Sequence, residues 1–258
     1  MKNKLTTKGL LRYPGGKSRA VKILNDFIPP EVTSVRAPFF GGGSFELYLT
    51  QRGISITGYD YFRQLTTFWE QVINDPVKVA DQVSPHLGNV DKVMFKEMQT
   101  SLKEESLDDI DMAAAFFIVN RCSFSGATLS GGYSSSAASG RFTDSSVERL
   151  RKFHNPLISV QYGDAFDEIF RGEEDFLFLD PPYALESPSL YGVNGSHHQD
   201  FDHERLRDVV VQSGREFLLT YNNSEYIRDL WSGYPQVETS WSYGMNSTKE
   251  SSELIIHS

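Results

Sequence analysis

The chain has 258 residues, of which 39% are hydrophobic and 23% charged, and its formal net charge at pH 7 is −9. This composition is typical of a globular protein, and no apolar run approaches the roughly 20 residues that a membrane-spanning helix needs. Residues 1–17 are basic without the apolar segment of a secretory signal, and the single cysteine, Cys122, excludes an internal disulfide. We therefore expect a protein of the reducing cytoplasm that is not attached to a membrane.

Two basic segments lie within this acidic chain. Residues 1–22 hold seven lysines or arginines and no acid, and residues 120–155 hold five basic and two acidic side chains, a net charge of +3. An acidic protein can bind phosphates through local basic surfaces of this kind, but charge runs are also common as ordinary solvated surface. The charge pattern alone leaves nucleic-acid binding open.

Short apolar runs alternate with helical patterns along the chain. We predict strands at 33–38, 54–59, 157–162, 175–180, 216–221, 235–241 and 252–256. Predicted helices cover 17–28, 44–52, 62–74, 77–102, 109–119, 145–153, 202–213 and 224–231. Alternation of this kind favours an α/β fold with a mostly parallel sheet.

About 95 residues between the second and third predicted strands contain no strand pattern, which is too long for an ordinary connection. Their first part, 77–119, is predicted to be helical. The stretch Ser130–Gly140, SGGYSSSAASG, predicts either a disordered linker or a loop that becomes ordered on a partner. We therefore expect one domain built from residues 1–74 and 156–258, with an insertion at 75–155.

A glycine turn, Gly41–Gly43, separates the first predicted strand from a helix that begins near Ser44. Glycines at such a turn allow close approach of a ligand to the backbone. Asp60 ends the second predicted strand, where an acid is well placed to accept hydrogen bonds from ribose hydroxyls. This order predicts an adenosine-containing cofactor, and the alternative is that Asp60 only caps the helix from Phe62.

A second glycine turn lies in LRYPGGKSR, Leu11–Arg19, where basic side chains flank the glycines. Its spacing differs from the Gly-x-x-x-x-Gly-Lys-Ser/Thr pattern of a P-loop, so no ATP site is predicted. The stretch is either part of a cofactor site or a basic loop that caps a helix.

The most informative stretch is FLFLDPPYAL, in which the apolar run Phe176–Leu179 predicts one buried strand. The two prolines after Asp180 cannot continue a sheet ladder, because they lack the amide hydrogen. The Asp180 carboxylate and the Pro181 carbonyl can accept the two hydrogens of an exocyclic amine such as that of adenine. Tyr183 can stack on the ring that carries the amine. With both hydrogens held, the nitrogen lone pair is directed at an electrophile, and no covalent enzyme intermediate is required.

From Leu11 to the C-terminus, these segments in this order resemble the Dam-like DNA adenine-N6 methyltransferases, the alpha group of S-adenosylmethionine-dependent amino methyltransferases. LRYPGGKSR resembles their N-terminal cofactor motif, PFFGGGSF resembles motif I, Asp60 falls at motif II, and LDPPY resembles catalytic motif IV. VNRCSFSG, Val119–Gly126, is similar to an Asn-Arg stretch of the DNA-recognition region. YGDAF, Tyr162–Phe166, resembles the segment that contacts the cofactor adenine, and LLTYNNSEYI, 218–227, resembles a strand that shapes the target-base pocket.

The resemblance implies a Rossmann-like methyltransferase sheet in the domain 1–74 and 156–258, with a mainly helical DNA-recognition region at 75–155. The implied activity is site-specific adenine-N6 methylation of double-stranded DNA with S-adenosylmethionine as cofactor and with the target adenine flipped out. The implied protein is a monomer or weak dimer in the cytoplasm of a bacterial or phage-infected cell. The resemblance also admits a cognate restriction endonuclease as a partner.

The resemblance assigns site residues to three groups. The implied catalytic residues are Asp180, Pro181, Pro182 and Tyr183. The implied cofactor-binding residues are Tyr13, Gly15, Gly16, Lys17, Phe40, Gly41, Gly42, Gly43, Ser44, Asp60, Asp164, Phe166 and Asp180. The implied DNA-binding residues are Arg12, Arg19, Arg121, Ser123, Phe124, Ser125, Leu129, Tyr133 and Arg141.

Three positions depart from the family pattern. Ala37 stands where the family often has an acid before motif I. Ser125 and Leu129 stand where members that read GATC have an Asn and an Arg, so GATC is not predicted as the recognition sequence.

Other classes explain less of the sequence. A cytosine C-5 methylase needs a nucleophilic cysteine after a proline, whereas Cys122 follows an arginine, and a cytosine amino-methylase usually has Ser in place of Asp180. An NAD-dependent dehydrogenase would use the glycine turn but not DPPY, and a non-catalytic DNA-binding module would leave the cofactor motifs unused. HHQDFDH, His197–His203, has irregular spacing for a metal site, and Asp202 is well placed to cap a helix, so no metal is predicted.

Overall fold

Seven strands form one mixed sheet in the computed structural model, which describes residues 5–184, 201–241 and 251–258. The strands are β1 (Ser34–Ala37), β2 (Ser55–Asp60), β3 (Ile158–Tyr162), β4 (Phe176–Leu179), β5 (Phe217–Asn222), β6 (Gln236–Trp241) and β7 (Ser251–His257). Their order across the sheet is β3-β2-β1-β4-β5-β7-β6, and β7 is antiparallel to both of its neighbours. All seven predicted strands are confirmed, with ends that differ by at most one residue.

The strand order reverses between β1 and β4. β1 pairs in parallel with β2 on one side and with β4 on the other, and the chain runs outward from this pair in both directions. The carboxyl ends of β1 and β4 therefore flank a crevice, the position at which doubly wound α/β folds bind ligands. This Rossmann-like architecture confirms the predicted fold class.

Helices cover both faces of the sheet and account for about half of the remaining described chain. They are α1 (Val21–Asn25), α2 (Ser44–Leu49), α3 (Arg63–Asn74), α4 (Pro76–Val83), α5 (Lys92–Lys103), α6 (Asp109–Cys122), α7 (Ser135–Arg141), α8 (Asp144–Arg151), α9 (Ala165–Glu168), α10 (His203–Ser213) and α11 (Glu225–Leu230). In the parts of the chain that the structure describes, none of them is long and apolar enough to cross a membrane.

The predicted helix 77–102 is wrong, because two helices, α4 and α5, occupy this stretch. Pro85 lies in a short 3-10 turn after α4, and Gly88 has a φ of 74°, which an α-helix does not allow. The side chain of Asp91 then accepts hydrogen bonds from the amides of Val93 and Met94 and starts α5. The predicted helix 17–28 is likewise shorter, since only α1 is helical.

Residues 75–155 are helical, as predicted, and contribute no strand to the sheet. The helix α6 packs against α3, α4 and α5, and the buried residues of these helices form one continuous core with those of β1, β2 and β3. The insertion therefore packs on the sheet through a shared hydrophobic core. Its role in target recognition stays a prediction.

The prediction of a linker or loop at Ser130–Gly140 is wrong, because α7 begins within this stretch. The hydroxyl of Tyr133 donates to the carbonyl of Val90 at 2.9 Å. The side-chain amide of Gln99 donates to the carbonyls of Thr128 and Gly131 at 2.9 and 2.7 Å. These hydrogen bonds satisfy three backbone carbonyl groups, and the amino-acid composition of the stretch gives no sign of such partners.

Candidate active site

The glycine turn after β1 is packed against the N-terminal loop. A Cβ atom on Gly42 would lie 2.7 Å from Cβ of Tyr13, so only glycine admits this close approach. Gly43 has a φ of 62°, which L-residues rarely adopt, and it precedes α2 directly. The indole Nε1 of Trp69 donates to the carbonyl of Gly41 at 3.0 Å. The structure therefore brings Tyr13 and Gly41–Gly43 together, as the sequence predicts.

Asp60 joins the end of β2 to the glycine turn. Its Oδ2 accepts a hydrogen bond from the Gly41 amide at 2.9 Å, and its Oδ1 accepts one from the Phe62 amide at 3.0 Å. Burial raises the pKa of Asp60 to about 6, although these amides act in the opposite direction. Asp60 therefore does more than the predicted alternative of a helix cap, because it holds the glycine turn and α3 has no side-chain cap. Its contact with a ribose stays a prediction.

Phe166 lies in a cluster of aromatic rings beyond β3. Asp164 accepts a hydrogen bond from the Phe166 amide at 2.8 Å and caps α9. The Phe166 ring stacks on Phe201 at 5.6 Å between centroids, and the Arg205 guanidinium lies 4.2 Å from its centroid. Phe201 also contacts Phe39, which follows β1. An adenine contact by Asp164 and Phe166 stays a prediction.

Asp180 directly follows β4 and faces the N-terminal loop. Nζ of Lys17 lies 2.6 Å from Oδ1 and 2.7 Å from Oδ2 of Asp180, and it also donates to the Gly15 carbonyl at 3.0 Å. The hydroxyl of Thr220, on β5, donates to Oδ1 at 2.7 Å. Lys17 is 3% exposed and Asp180 is 21% exposed. The candidate catalytic carboxylate is therefore bound by a buried ammonium, a contact that the sequence analysis missed.

Tyr183 is held by β7, the last strand in chain order. Its hydroxyl donates to Oε2 of Glu253, on β7, at 2.6 Å, and Nζ of Lys17 lies 5.1 Å from its ring centroid. Nearby, Nδ2 of Asn222 donates to the carbonyl of Ala184 at 3.0 Å. Oδ1 of Asn222 is buried without a hydrogen-bond partner in the described ranges. A buried acceptor of this kind suits a ligand that carries an N–H group.

A second buried acid, Glu46, lies in the first turn of α2 and is 3% exposed. Burial raises the pKa of Glu46 to about 8, and the negative charge of Asp180 acts in the same direction. The charge of Lys17 and the amides of Phe45 and Glu46 lower the pKa but do not compensate for burial. In the sequence, Glu46 stands among the apolar residues of α2. An acid in such surroundings was the only sequence signal that could have pointed to this residue.

Four arginines form what we call the arginine cluster, and it joins the two basic segments of the sequence. Its members are Arg12, Arg121, Arg141 and Arg149. Burial, together with the positive charges of Arg149, Arg12 and Arg141, lowers the pKa of the Arg121 guanidinium to about 10. In the described part of the chain, none of the four forms an ion pair with a carboxylate, and Nη1 of Arg141 is buried without a hydrogen-bond partner.

Asn120 fixes the backbone of the N-terminal loop beside this cluster. Its Oδ1 accepts from the Arg12 amide at 3.0 Å, and its Nδ2 donates to the Arg12 carbonyl at 2.7 Å. A Cβ atom on Gly126 would lie 2.4 Å from the same carbonyl oxygen. The Asn-Arg stretch of the sequence therefore begins with a positioning asparagine, which is fully buried at the end of α6.

Three of the predicted DNA-binding residues lie wholly or partly inside the protein. Leu129 is 2% exposed and belongs to the core. Ser123 is buried, and its hydroxyl donates to the Asn120 carbonyl at 3.2 Å. Tyr133 is half-buried, with its hydroxyl on Val90 and its ring 5.7 Å from Phe95. In this structure the three residues help to shape the inserted region, and their contact with DNA stays a prediction.

Other predicted DNA contacts are accessible. Phe124 is 65% exposed, Ser125 has a φ of 58° in the turn after α6, and Arg19 is exposed on the N-terminal loop. These residues and the arginine cluster remain predictions for DNA contact.

Two of the residues weighed for metal binding, Asp202 and His203, have structural partners. Asp202 accepts from the Arg205 amide and caps α10, as predicted, and His203 Nδ1 lies 2.7 Å from the Tyr221 hydroxyl. His197, His198 and Asp200 lie outside the described residues, and within the described ranges no group of His, Cys, Asp or Glu could hold a metal ion. Burial raises the pKa of the Cys122 thiol to about 12, which disfavours a thiolate nucleophile.

Known proteins resemble this chain in sequence and, more distantly, in structure. Type II methyltransferase M.CviBI of Paramecium bursaria Chlorella virus NC1A is 24% identical over 241 residues, covering 90% of this chain and 89% of the viral protein. The Escherichia coli protein yhhF, provisionally described as a methyltransferase, has a TM-score of 0.37 and 11% identity, covering 96% of this chain and 90% of that chain. A precorrin 8W decarboxylase of Methanobacterium thermoautotrophicum has a TM-score of 0.37 and 9% identity, covering 95% and 93%.

Because both TM-scores are low, the fold class rests on the strand order of the sheet. A family model described as D12 class N6 adenine-specific DNA methyltransferase matches residues 13–245. The match contains the glycine turn after β1, Asp60 at the end of β2 and the DPPY stretch after β4, which follow the carboxyl ends of three neighbouring strands. The chain therefore belongs to the D12 class N6 adenine-specific DNA methyltransferase family and is an enzyme that methylates DNA.

Proposed function

We propose that the protein transfers the methyl group of S-adenosylmethionine to the exocyclic amine of an adenine rotated out of double-stranded DNA. The position of Asp180 carries this proposal. It follows β4 in the crevice at the reversal of strand order, with Tyr183 three residues later and the glycine turn on the neighbouring strand. The two acceptors needed for an amine, the Asp180 carboxylate and the Pro181 carbonyl, are adjacent in the chain.

The residues around the glycine turn fit the proposed cofactor. Gly42 has no room for a Cβ atom beside Tyr13, and Asp60 holds the turn through the Gly41 amide while each of its oxygens retains a further lone pair. We assign the ribose to Asp60, the adenine to the region of Phe166, and the methionine part to the neighbourhood of Tyr13. When bound, S-adenosylmethionine supplies a methyl group that is activated by the sulfonium charge.

The target base is assigned to the opposite side of Asp180. An adenine amine is paired and stacked inside a duplex, so the base must leave the helix to reach a buried carboxylate. The ring of Tyr183, oriented by its bond to Glu253, offers a stacking face, and Oδ1 of Asn222 is a further buried acceptor. In the structure, the Lys17 ammonium contacts both carboxylate oxygens of Asp180, so this lysine must shift when the amine binds there.

DNA binding is assigned to the arginine cluster and the exposed turn that carries Phe124. Guanidinium groups without carboxylate partners are suited to phosphate, which accepts bidentate hydrogen bonds. The net charge of −9 repels a polyanion at long range, so a local surface must supply the attraction. The cluster lies where the N-terminal loop meets the insertion, at the contact between Arg12 and Asn120, and the same loop reaches the crevice through Lys17.

The biological setting is also part of the proposal. The viral relative is described as a Type II methyltransferase, and on this basis we propose a restriction-modification role with a cognate endonuclease. We place the protein in the cytoplasm of a bacterial or virus-infected cell, as a monomer or weak dimer. Plasmid DNA methylated by this protein is then expected to resist the partner endonuclease.

Methylation-sensitive sequencing of DNA from a methylase-free host that expresses the chain tests the function. We expect N6-methyladenine at one short sequence motif, and none in cells that express Asp180→Ala at the same level. Methylation of cytosine, or no methylation by a folded wild-type protein, would overturn the proposal. The same experiment identifies the recognition sequence.

A further inference from the structure

One buried side chain joins the inserted region to the N-terminal loop. Asn120, near the end of α6, is fully buried. Its Oδ1 accepts a hydrogen bond from the Arg12 amide at 3.0 Å, and its Nδ2 donates to the Arg12 carbonyl at 2.7 Å and to the Gly126 carbonyl at 3.2 Å. Both hydrogens of the side-chain amide and its oxygen are therefore engaged, and one loop residue is bound through its N–H and its C=O.

The turn after α6 holds the same loop residue by close packing. A Cβ atom on Gly126 would lie 2.4 Å from the carbonyl oxygen of Arg12 and 2.8 Å from its Cβ, and Gly126 has a φ of 75°. Only glycine suits both the contact and the backbone conformation. The same turn carries the exposed ring of Phe124. The backbone of Arg12 is therefore fixed relative to a turn that we assign to DNA.

The fixed segment contributes to both proposed sites. The side chain of Arg12 belongs to the arginine cluster, in which Nε of Arg121 also donates to the Arg141 carbonyl at 2.9 Å. The next residue, Tyr13, packs on the glycine turn after β1, where a Cβ atom on Gly42 would lie 2.7 Å from Cβ of Tyr13. Two adjacent residues of the N-terminal loop thus connect the DNA-facing cluster with the turn that we assign to the cofactor.

We propose that Asn120 is a positioning residue that couples the binding of DNA to the binding of the cofactor. The inference rests on the proposed function, and it assigns Asn120 no contact with either ligand. DNA on the arginine cluster restricts the insertion, and Asn120 transmits this restriction to the backbone of Arg12 and so to Tyr13. The second ligand then removes less conformational entropy from the shared segment, so each ligand raises the affinity for the other by the same factor.

A second buried asparagine provides a matched control. Asn155 is 4% exposed, and its Nδ2 donates to the carbonyl of Thr6 at 2.9 Å. This is the same kind of bond to the same N-terminal segment, but Thr6 precedes the loop that holds the two site residues. Loss of either asparagine side chain leaves backbone groups unpaired and should lower stability. Only the loss of Asn120 should change the coupling between the ligands.

Calorimetric titration of S-adenosylhomocysteine measures the coupling without turnover. The compound is titrated into the protein alone and into the protein saturated with a duplex that contains the recognition motif. We expect the duplex to raise the wild-type affinity for S-adenosylhomocysteine by about fivefold or more. In Asn120→Ala this factor should fall to about one, whereas Asn155→Ala should keep the wild-type factor.

The variant Gly126→Ala tests the same contact from the opposite side. Its added methyl group displaces the Arg12 carbonyl while the side chain of Asn120 is retained, so we expect the same loss of coupling. If neither variant folds, amide hydrogen exchange of the wild-type protein decides. The duplex alone should slow exchange in peptides that cover residues 11–19 and 39–45, and equal exchange with and without DNA would overturn the inference.

The outcomes separate this inference from the proposed function. A folded wild-type protein that binds no S-adenosylhomocysteine, or no DNA, would overturn the proposed function. Binding of both ligands with independent affinities, or a wild-type coupling factor in Asn120→Ala, would overturn the inference alone. Equal loss of the factor in Asn155→Ala would show that Asn120 acts only through the general stability of the N-terminal segment, and this result would also overturn the inference.

Discussion

Three carboxylates organise the crevice, and they differ in their partners and in their exposure. Asp60 accepts hydrogen bonds from backbone amides, which the strand and turn hold in place. Glu253 accepts the Tyr183 hydroxyl from within the sheet. Asp180 accepts hydrogen bonds from the side chains of Lys17 and Thr220, and it is 21% exposed, whereas Glu253 is buried. Asp180 is therefore the carboxylate that can exchange a protein partner for a substrate.

The variant Asp180→Ala is expected to abolish methyl transfer while it still binds S-adenosylmethionine. The carboxylate holds the amine chiefly in the transition state, so its loss should lower kcat by about 10²- to 10³-fold or more. Removing it also leaves Lys17 buried without this partner, which should cost about 3–5 kcal/mol of stability. Transfer from radiolabelled cofactor to duplex DNA measures the rate, and thermal denaturation measures the stability. Wild-type turnover by a folded variant would exclude the assigned role.

Tyr183 combines a ring and a hydroxyl with separable effects. Tyr183→Phe keeps the ring, so we expect most of the rate to remain, but the buried Glu253 loses a donor and stability should fall by about 1–3 kcal/mol. Tyr183→Ala also removes the stacking face, which should lower kcat/KM by about 10- to 100-fold. Steady-state kinetics and denaturation of both variants give the comparison. Equal kinetic losses in the two variants would show that the hydroxyl, not the ring, is needed.

At the scale of secondary-structure elements, short connections at the carboxyl ends of β1, β2 and β4 position the residues of the crevice. Strand β7 lies antiparallel between β5 and β6, and this register brings Glu253 opposite Asn222 and within reach of Tyr183. The glycine turn lets Tyr13 pack directly on the backbone between β1 and α2. The geometry of the crevice therefore depends on backbone contacts that tolerate little added volume.

The variant Gly42→Ala tests this dependence. The added methyl group would meet Tyr13 at 2.7 Å, so the loop must shift, and we expect a stability loss of about 1–3 kcal/mol together with weaker binding of S-adenosylmethionine. Gly132→Ala is the matched control, since its added atom meets nothing within 4 Å. Thermal denaturation and calorimetry of both variants provide the measurement. Unchanged cofactor affinity in a folded Gly42→Ala variant would show that the glycine turn is not part of the cofactor site.

At the scale of the whole molecule, an acidic protein presents one concentrated basic surface. The arginine cluster draws Arg12 from the N-terminal loop, Arg121 from α6, Arg141 from α7 and Arg149 from α8. Mutual repulsion within the cluster opposes the folded state, and a bound phosphate would relieve it. We therefore expect the cluster to favour the form of the protein with a bound polyanion over the free form.

The variants Arg149→Ala and Arg151→Ala form a matched pair on α8. Arg149 belongs to the cluster, whereas Arg151 forms an ion pair with Asp81 at 2.6 Å. If Arg149 contacts a phosphate, its loss should weaken DNA binding and reduce the slope of log affinity against log salt by about one unit. Arg151→Ala should leave the slope unchanged. Binding titrations on cognate and scrambled duplexes at several salt concentrations measure the slopes, and equal slopes for the two variants would place the phosphate contacts elsewhere.

The linear order of the chain determined the strands, the glycine turn and the DPPY stretch. These features depend on local properties: apolar runs form buried strands, glycine allows positive φ, and proline ends a ladder. The α/β class follows from the same local signals, because alternating strands and helices have few ways to pack. Local signals also misled, since the Ser- and Gly-rich stretch predicted a linker where Tyr133 and Gln99 anchor a folded segment.

Tertiary packing alone decided which of these groups meet. Lys17 contacts Asp180 across 163 positions of sequence, Tyr183 contacts Glu253 across 70, and Asn120 holds Arg12 across 108. Such pairs depend on strand order and core packing, which no local pattern encodes. The burial of Glu46 and of Leu129 has the same origin, because exposure depends on what covers a residue. The sequence by itself therefore determined the family and the candidate catalytic stretch, whereas the partners of Asp180 and the arginine cluster emerged only from the folded chain.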